Sequence, residues 1–154
     1  MNMRFRDVIQ SLEPSFRSLL EMAPVDPARV PRGIPLAGVY LFSEGGRHLY
    51  VGRSRNIRKR IAGHCRPSAK ENTAALAFRM ARRATGIPAT YTREGSRSDL
   101  LKNAAFSSVF DAAKKRIRNM DLRFVEESDP LRQALLEIYV AVSLDTPYND
   151  FDTY

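Results

Sequence analysis

Tyr40 and Tyr50 lie ten residues apart in short β-prone runs, and a basic segment that begins with Gly52 and Arg53 follows them. A tyrosine on a strand is ordinarily a good strand residue whose hydroxyl reaches water. A phenol beside cationic groups can also orient a water molecule or take its proton, because the cations stabilise the phenolate. The pair therefore has a structural interpretation and a chemical one.

Arg60 and His64 follow in a segment that begins at Asn56, a residue favoured at helix N-termini. Their four-residue separation places both on one helix face. Because a guanidinium matches two phosphate oxygens at once, Arg60 is a candidate for binding a phosphodiester. His64 could donate to the same phosphate or hold a tyrosine, and a half-buried histidine near a helix end is the alternative.

Glu137 interrupts the apolar run of residues 134–142. A partly buried carboxylate is costly unless it is paired or binds a metal ion, so Glu137 is either a metal ligand or the partner of an arginine. The helical spacing predicts a core-facing stripe with a second stripe of small residues and Glu137 beside it. The first stripe is Leu131, Leu135, Ile138 and Val142, and the second is Ala134, Glu137 and Ala141.

A hairpin must position the two tyrosines. Residues 39–42 and 48–51 are β-prone, and the five residues between them, 43–47, include two glycines. With a five-residue loop, Tyr40 lies opposite Tyr50 on the same face of the sheet.

The remaining pattern predicts a single mixed α/β domain over residues 1–154, in which helices surround a small antiparallel sheet. An amphipathic helix over residues 3–22 is interrupted near Pro14, and four prolines make residues 24–36 a linker. The other predicted elements are helices at 56–65, 72–84 and 98–118, a strand at 122–125, a helix from Asp129-Pro130 to about 143, and an irregular tail at 145–154. In this division residues 1–23 hold the N-terminal helix, 37–66 the hairpin and basic helix, 68–118 a helical insertion, and 121–154 the last strand, helix and tail.

The formal net charge is +8, and the segment from Arg47 to Arg66 contains no acidic residue. A basic stripe of this kind is typical of phosphate binding, although an arginine-rich solvated surface is the alternative. The candidate nucleic-acid-binding residues are Arg53, Arg55, Arg58, Lys59 and Arg66, together with a second basic cluster, Lys114, Lys115, Arg116 and Arg118.

The single cysteine, Cys65, excludes an intrachain disulfide and a zinc-ribbon site. No apolar run approaches the roughly 18 residues of a membrane span. Because the charged N-terminus is not followed by an apolar segment, we expect no signal peptide and a cytoplasmic protein.

Together these residues resemble the GIY-YIG nuclease family. Two triplets, Gly38-Val39-Tyr40 and Tyr50-Val51-Gly52, resemble the family's paired signature, with valine where the family has isoleucine. The resemblance covers roughly residues 37–66 and 121–151. It rests on Gly38-Val39-Tyr40, on Tyr50-Val51-Gly52, on Arg60 and His64 in the segment that follows, on Glu137 in a late helix and on Asn149 after that helix.

The resemblance implies a central three-stranded antiparallel sheet flanked by helices, with extra helices at the N-terminus and between the second and third strands. It also implies roles. Tyr40 would be the general base or would orient the attacking water, with Tyr50 and His64 assisting it or binding the phosphate. Arg60 would stabilise transition-state charge. Glu137 would be the sole protein ligand of one Mg²⁺ or Mn²⁺, and Asn149 a supporting hydrogen-bond donor.

The sequence therefore predicts a metal-dependent endonuclease acting on DNA, with RNA not excluded, as a monomer or a dimer on DNA and without a membrane partner. One alternative is a non-catalytic nucleic-acid-binding module on the same fold. Another is a partner-binding protein that uses the apolar faces of residues 3–22 and 72–118.

Overall fold

A three-stranded antiparallel sheet forms the centre of the computed structural model, which describes residues 1–151. The last three residues of the predicted tail at 145–154 lie outside the described residues. The strands are β1 (Gly38–Glu44), β2 (Arg47–Ser54) and β3 (Asp121–Glu126), in the order β2-β1-β3. The predicted fold class, a small antiparallel sheet flanked by helices, is thus confirmed.

Helices cover both faces of the sheet. They are α1 (Met3–Gln10), α2 (Glu13–Glu21), α3 (Ile57–Cys65), α4 (Ala75–Thr85), α5 (Arg97–Leu100), α6 (Ala104–Arg118) and α7 (Pro130–Leu144). On one face Tyr40, Phe42 and Tyr50 pack into a core with residues of α3, α4 and α6. On the other face Val39, Leu41 and Val51 pack with α2 and α7. None of the helices in residues 1–151 combines the length and apolar character needed to cross a membrane.

The hairpin register differs from the prediction. Gly45 and Gly46 both have positive φ, at 58° and 78°, so they alone make the turn and the strands extend to Glu44 and Arg47. A bulge near Leu49 then shifts the pairing, so that Tyr40 lies opposite Gly52 and Phe42 opposite Tyr50. The predicted pairing of Tyr40 with Tyr50 is wrong, but the bulge restores Tyr50 to the face of Tyr40.

The N-terminal helical segment is two helices rather than one. It breaks at Ser11–Leu12, and Pro14 lies in the first turn of α2, where a missing N–H costs little. The proline-rich segment that follows is less irregular than expected. Residues Pro27–Arg29 form a 3₁₀ turn, and Val25 exchanges two backbone hydrogen bonds with Leu122 of β3.

The insertion also contains a helix break. The predicted helix at 98–118 is divided between α5 and α6, because Asn103 caps α6 by accepting from the Phe106 N–H at 3.0 Å. The helix predicted at 72–84 starts later, at Ala75, and ends as expected at Gly86, which adopts the left-handed conformation.

The predicted core face of α7 is wrong. Leu131, Ile138 and Val142 are 63%, 47% and 70% exposed, and the helix buries Gln133, Leu136, Val140 and Ala141 instead. Because α7 is apolar on nearly every side, its sequence is compatible with burial of more than one face. The buried glutamine is accommodated since its side-chain amide donates to the Glu127 carbonyl at 2.6 Å.

Candidate active site

Gly52 and Gly38 each allow a close contact, the first with the Tyr40 ring and the second with the backbone of β3. A Cβ at Gly52 would lie 2.3 Å from the Tyr40 hydroxyl oxygen and 2.4 Å from its Cζ, so the Tyr40 ring crosses the space that a side chain would fill. A Cβ at Gly38 would lie 1.9 Å from the Val125 carbonyl oxygen on β3. Close packing therefore accounts for the glycine in both triplets.

The Tyr40 hydroxyl meets the imidazole of His64, with 2.8 Å between Oη and Nε2. Both side chains are buried, at 1% and 0% exposure. Burial, assisted by the charges of Arg60 and Arg79, lowers the pKa of His64 to about 3. Burial also raises the pKa of Tyr40, an effect that the nearby Arg60 only partly offsets. Both groups are therefore uncharged at neutral pH.

Arg60 holds the same hydroxyl from a second direction. Its Nε donates to Tyr40 Oη at 3.3 Å, and Nη1 donates to the Thr73 carbonyl at 3.1 Å. Arg60 and His64 both belong to α3, whose N-terminus Asn56 caps by accepting from the Lys59 N–H. As predicted, Arg60 and His64 share one helix face, and in the structure both contact Tyr40. A guanidinium has five N–H donors, so Arg60 keeps donors with which to bind a phosphate.

Tyr50 completes an aromatic cluster at the site. Its ring centroid lies 6.4 Å from that of Tyr40 and 5.8 Å from that of His64. Over its ring stands Arg79, whose guanidinium carbon is 5.8 Å from the ring centroid. Sequence reasoning missed Arg79. The available signal was an arginine between Phe78 and Met80, within the apolar first half of α4, since a charged side chain among buried residues is uncommon without a specific contact.

Glu137 reaches the edge strand β2 from α7. Its Oε2 accepts from the Arg53 Nε at 3.0 Å, and the side chains of Glu137 and Arg53 are 25% and 46% exposed. The arginine partner considered in the alternative interpretation is thus present. Burial raises the pKa of Glu137, while the positive charges of Arg53, Arg79 and Arg60 act to lower it. Three guanidinium groups therefore favour the ionised carboxylate.

These donors fit a metal ion that takes few protein ligands. Within residues 1–151 no group of three or more His, Cys, Asp or Glu side chains could hold a cation. Mg²⁺ keeps several waters and takes one or two carboxylates together with substrate phosphate oxygens. A single partly exposed carboxylate, such as that of Glu137, is compatible with that mode.

Asn149 contacts the backbone of β2. Its Oδ1 accepts from the Val51 N–H at 2.9 Å and its Nδ2 donates to the Val51 carbonyl at 2.8 Å. These two bonds pair the edge strand as a neighbouring strand would, next to Tyr50. The structure therefore gives Asn149 a positioning contact, on the backbone beside the site.

The basic residues predicted to bind nucleic acid divide into two groups around α3. Arg55, Lys59 and Arg66 line an open groove along α3 that also includes Arg60 and Thr73. Arg53 pairs with Glu137. Arg58 is used internally, since it donates to the carbonyl groups of Val30 and Pro31.

The second predicted basic cluster is only partly available. Lys114 is 4% exposed, and its ammonium group binds the carbonyls of Pro67 and Ala69 and the carboxylate of Asp111. The assignment of Lys114 to a nucleic-acid surface is therefore wrong, because its donors are used inside the protein. Arg116 pairs with Glu44, at 2.7 Å for the shortest contact, whereas Lys115 and Arg118 are exposed.

Comparison with protein families gives one match. Residues 36–106 match a family described as the UvrC-like GIY-YIG domain. The matched range contains both tyrosines, Arg60 and His64, and it ends before Glu137 and Asn149. Neither the curated proteins nor the solved structures include a significant match to the chain.

Proposed function

We propose that the chain is a metal-dependent endonuclease that hydrolyses DNA with a water molecule oriented by Tyr40, and the premise is the match of residues 36–106 to the UvrC-like GIY-YIG domain. That match indicates a nuclease with a nucleic-acid substrate. The observation that carries the finer proposal is the Tyr40 hydroxyl, which contacts both His64 and Arg60, and Arg60 in turn lines the α3 groove.

The electrostatic surroundings of Tyr40 favour a role in orienting the attacking water over a role as the general base that takes its proton. Burial keeps Tyr40 a neutral phenol and His64 a neutral imidazole. When Tyr40 donates its O–H to His64 Nε2 and accepts from Arg60, one lone pair on Oη is left to accept from water. A water held in that way directs its own lone pair toward the phosphorus of a phosphate group whose oxygens accept from Arg60.

Arg60 supplies the charge that the reaction requires. Attack on phosphorus adds negative charge to the non-bridging oxygens, and a fixed guanidinium beside them stabilises that charge. The contacts of Arg60 with Tyr40 and with the Thr73 carbonyl fix its orientation before substrate arrives.

Glu137 would hold the divalent cation, Mg²⁺ or Mn²⁺. Such an ion, when bound, would stabilise the negative charge of the departing oxygen. Burial raises the pKa of Glu137, and the arginines around it oppose that effect and so favour the ionised carboxylate, which is the form that binds a cation.

The test is cleavage of supercoiled plasmid by the full chain in Mg²⁺, in Mn²⁺ and in EDTA. We expect nicked or linear product with either metal and none in EDTA. Tyr40→Phe should lose most of this activity, whereas Tyr91→Phe, at a position 80% exposed, should retain it.

Plasmid that stays intact in every lane while the protein binds it in a salt-sensitive way would favour the non-catalytic binding module. Undiminished cleavage by Tyr40→Phe would remove Tyr40 from the orienting role.

A further inference from the structure

A second basic cleft lies beside the site, between α4 and the segment that carries Asn149. Its lining holds three arginines and one carboxylate, Asp150, so the arginines outnumber the acid. The arginines are Arg79, Arg82 and Arg83, which helical spacing places on one side of α4. This cleft belongs to the insertion, but it is separate from the basic cluster at the end of α6.

Backbone carbonyls hold these arginines in place. Arg79 donates to the Tyr148 carbonyl at 3.0 Å and Arg83 donates to the Pro147 carbonyl at 2.9 Å. The Arg83 guanidinium also lies 5.4 Å from the centroid of the Tyr148 ring. A carbonyl orients a guanidinium without cancelling its charge, and each of these bonds uses one of five N–H donors. Arg79 and Arg83 are therefore preorganised for a further anionic partner.

Two residues that line the cleft also contact the site. Arg79 stands over the Tyr50 ring, and Asn149 binds the Val51 backbone. In the α3 groove, Arg60 contacts Tyr40 in the same way. Each of the two basic surfaces therefore includes an arginine that contacts one tyrosine of the pair.

We propose that the arginine face of α4 is a second phosphate-binding site, which holds the nucleic-acid backbone at the Tyr50 end of the active site while the α3 groove holds it at the Tyr40 end. The inference rests on the proposed function, because it takes its ligand from the proposed substrate. A polyanionic strand suits the cleft since its phosphates repeat along the backbone, as the arginines repeat along α4.

Binding measured apart from cleavage tests the proposal. The double variant Arg79→Gln/Arg83→Gln is compared with the full chain by fluorescence anisotropy, using a labelled 20-base-pair DNA duplex in EDTA at several salt concentrations. The matched control is Arg4→Gln/Arg6→Gln, which removes the same charge from exposed positions of α1.

We expect the α4 variant to bind DNA on the order of tenfold more weakly. The slope of the logarithm of the binding constant against the logarithm of the salt concentration should also be shallower. Loss of roughly one to two phosphate contacts would reduce it by about 0.9 for each contact. The control should shift affinity much less. Equal affinity and slope in the α4 variant and the control would overturn the proposal.

A purely structural role would instead lower stability, because Arg79 and Arg83 tie the Asn149 segment to α4. Arg79→Lys/Arg83→Lys separates the two, since it keeps the charge and alters the carbonyl bonds. Recovery of most of the salt slope in this variant supports phosphate binding, and a slope as shallow as that of the glutamine variant contradicts it. A parent chain that binds DNA but never cuts it contradicts the proposed function and leaves this site standing.

Discussion

The two ends of the candidate active site differ in burial and charge. Tyr40 and His64 are themselves uncharged and buried, and Gly52 makes room for the Tyr40 ring. Around Glu137 the carboxylate and its partner Arg53 are both partly exposed, and three arginines set the local charge. Changes at the buried end should therefore alter folding together with activity, whereas changes at the exposed end should alter activity alone.

Arg60 joins the two ends and should give the largest effect. Arg60→Lys keeps the charge but loses the planar fork of donors, so we expect cleavage at saturating DNA to fall by roughly 10²–10³-fold. The melting temperature should change little because Arg60 is only half-buried. Lys59→Gln, on the exposed groove, is the control and should weaken binding without slowing the bound complex. An equal fall in the cleavage rate of Arg60→Lys and Lys59→Gln at saturating DNA would contradict the distinction between a residue that acts in cleavage and one that only binds DNA.

Gly52→Ala should damage the buried end through packing. The new Cβ would overlap the Tyr40 ring, so we expect the free energy of unfolding to fall by about 3 kcal/mol, measured by urea denaturation. Adding Tyr40→Ala removes the ring, so the double variant should lose less stability than the sum of the two single changes. Additive losses would show that the contact is not the cause.

His64 makes the buried end sensitive to acid. Its pKa is about 3 in the folded chain and about 6.5 when unfolded, so the unfolded chain binds more protons between these values. The stability from His64 is complete above pH 6.5 and falls as pH decreases, by about 2 kcal/mol at pH 5 relative to pH 7. His64→Phe should lack this part of the pH dependence in urea denaturation. Identical pH dependence in parent and variant would show that His64 is not buried in its neutral form.

Arg53→Gln should give the smallest change in stability, because partly exposed ion pairs contribute less than about 1 kcal/mol. Arg132→Gln is the comparison, since the Arg132–Glu127 pair is less exposed, at 32% and 11%, and should cost more when broken. Denaturation midpoints of the two variants check the order. A larger loss of stability in Arg53→Gln than in Arg132→Gln would mean that the Arg53–Glu137 pair contributes to stability as a buried ion pair does.

Much of the buried end could be predicted from the sequence. The two triplets, the Asn56 cap and the spacing of Arg60 and His64 fix which side chains meet, because each acts over a few residues. The hairpin register could not be predicted, since it depends on whether two or five residues form the turn and on the bulge near Leu49.

The exposed end was harder to predict because it depends on distant elements. Which face of α7 is buried follows from its packing against the sheet, and an almost uniformly apolar helix carries no pattern that decides it. Lys114 and Arg79 show the same difficulty in opposite directions. In the sequence both are charged residues next to apolar ones. Only the tertiary structure shows that Lys114 is buried and that Arg79 lies over the Tyr50 ring.

The most direct test of the account concerns Glu137, which the proposed function makes the metal ligand and which lies outside the matched residues 36–106. Glu137→Gln and the control Glu21→Gln, at an exposed position of α2, are compared for DNA binding in Ca²⁺ and for cleavage in Mg²⁺. The account predicts that Glu137→Gln binds DNA as well as the parent or better, because a negative charge near phosphate is removed, and that it does not cleave. Cleavage by Glu137→Gln at the rate of the parent would contradict the assignment of Glu137 as the metal ligand.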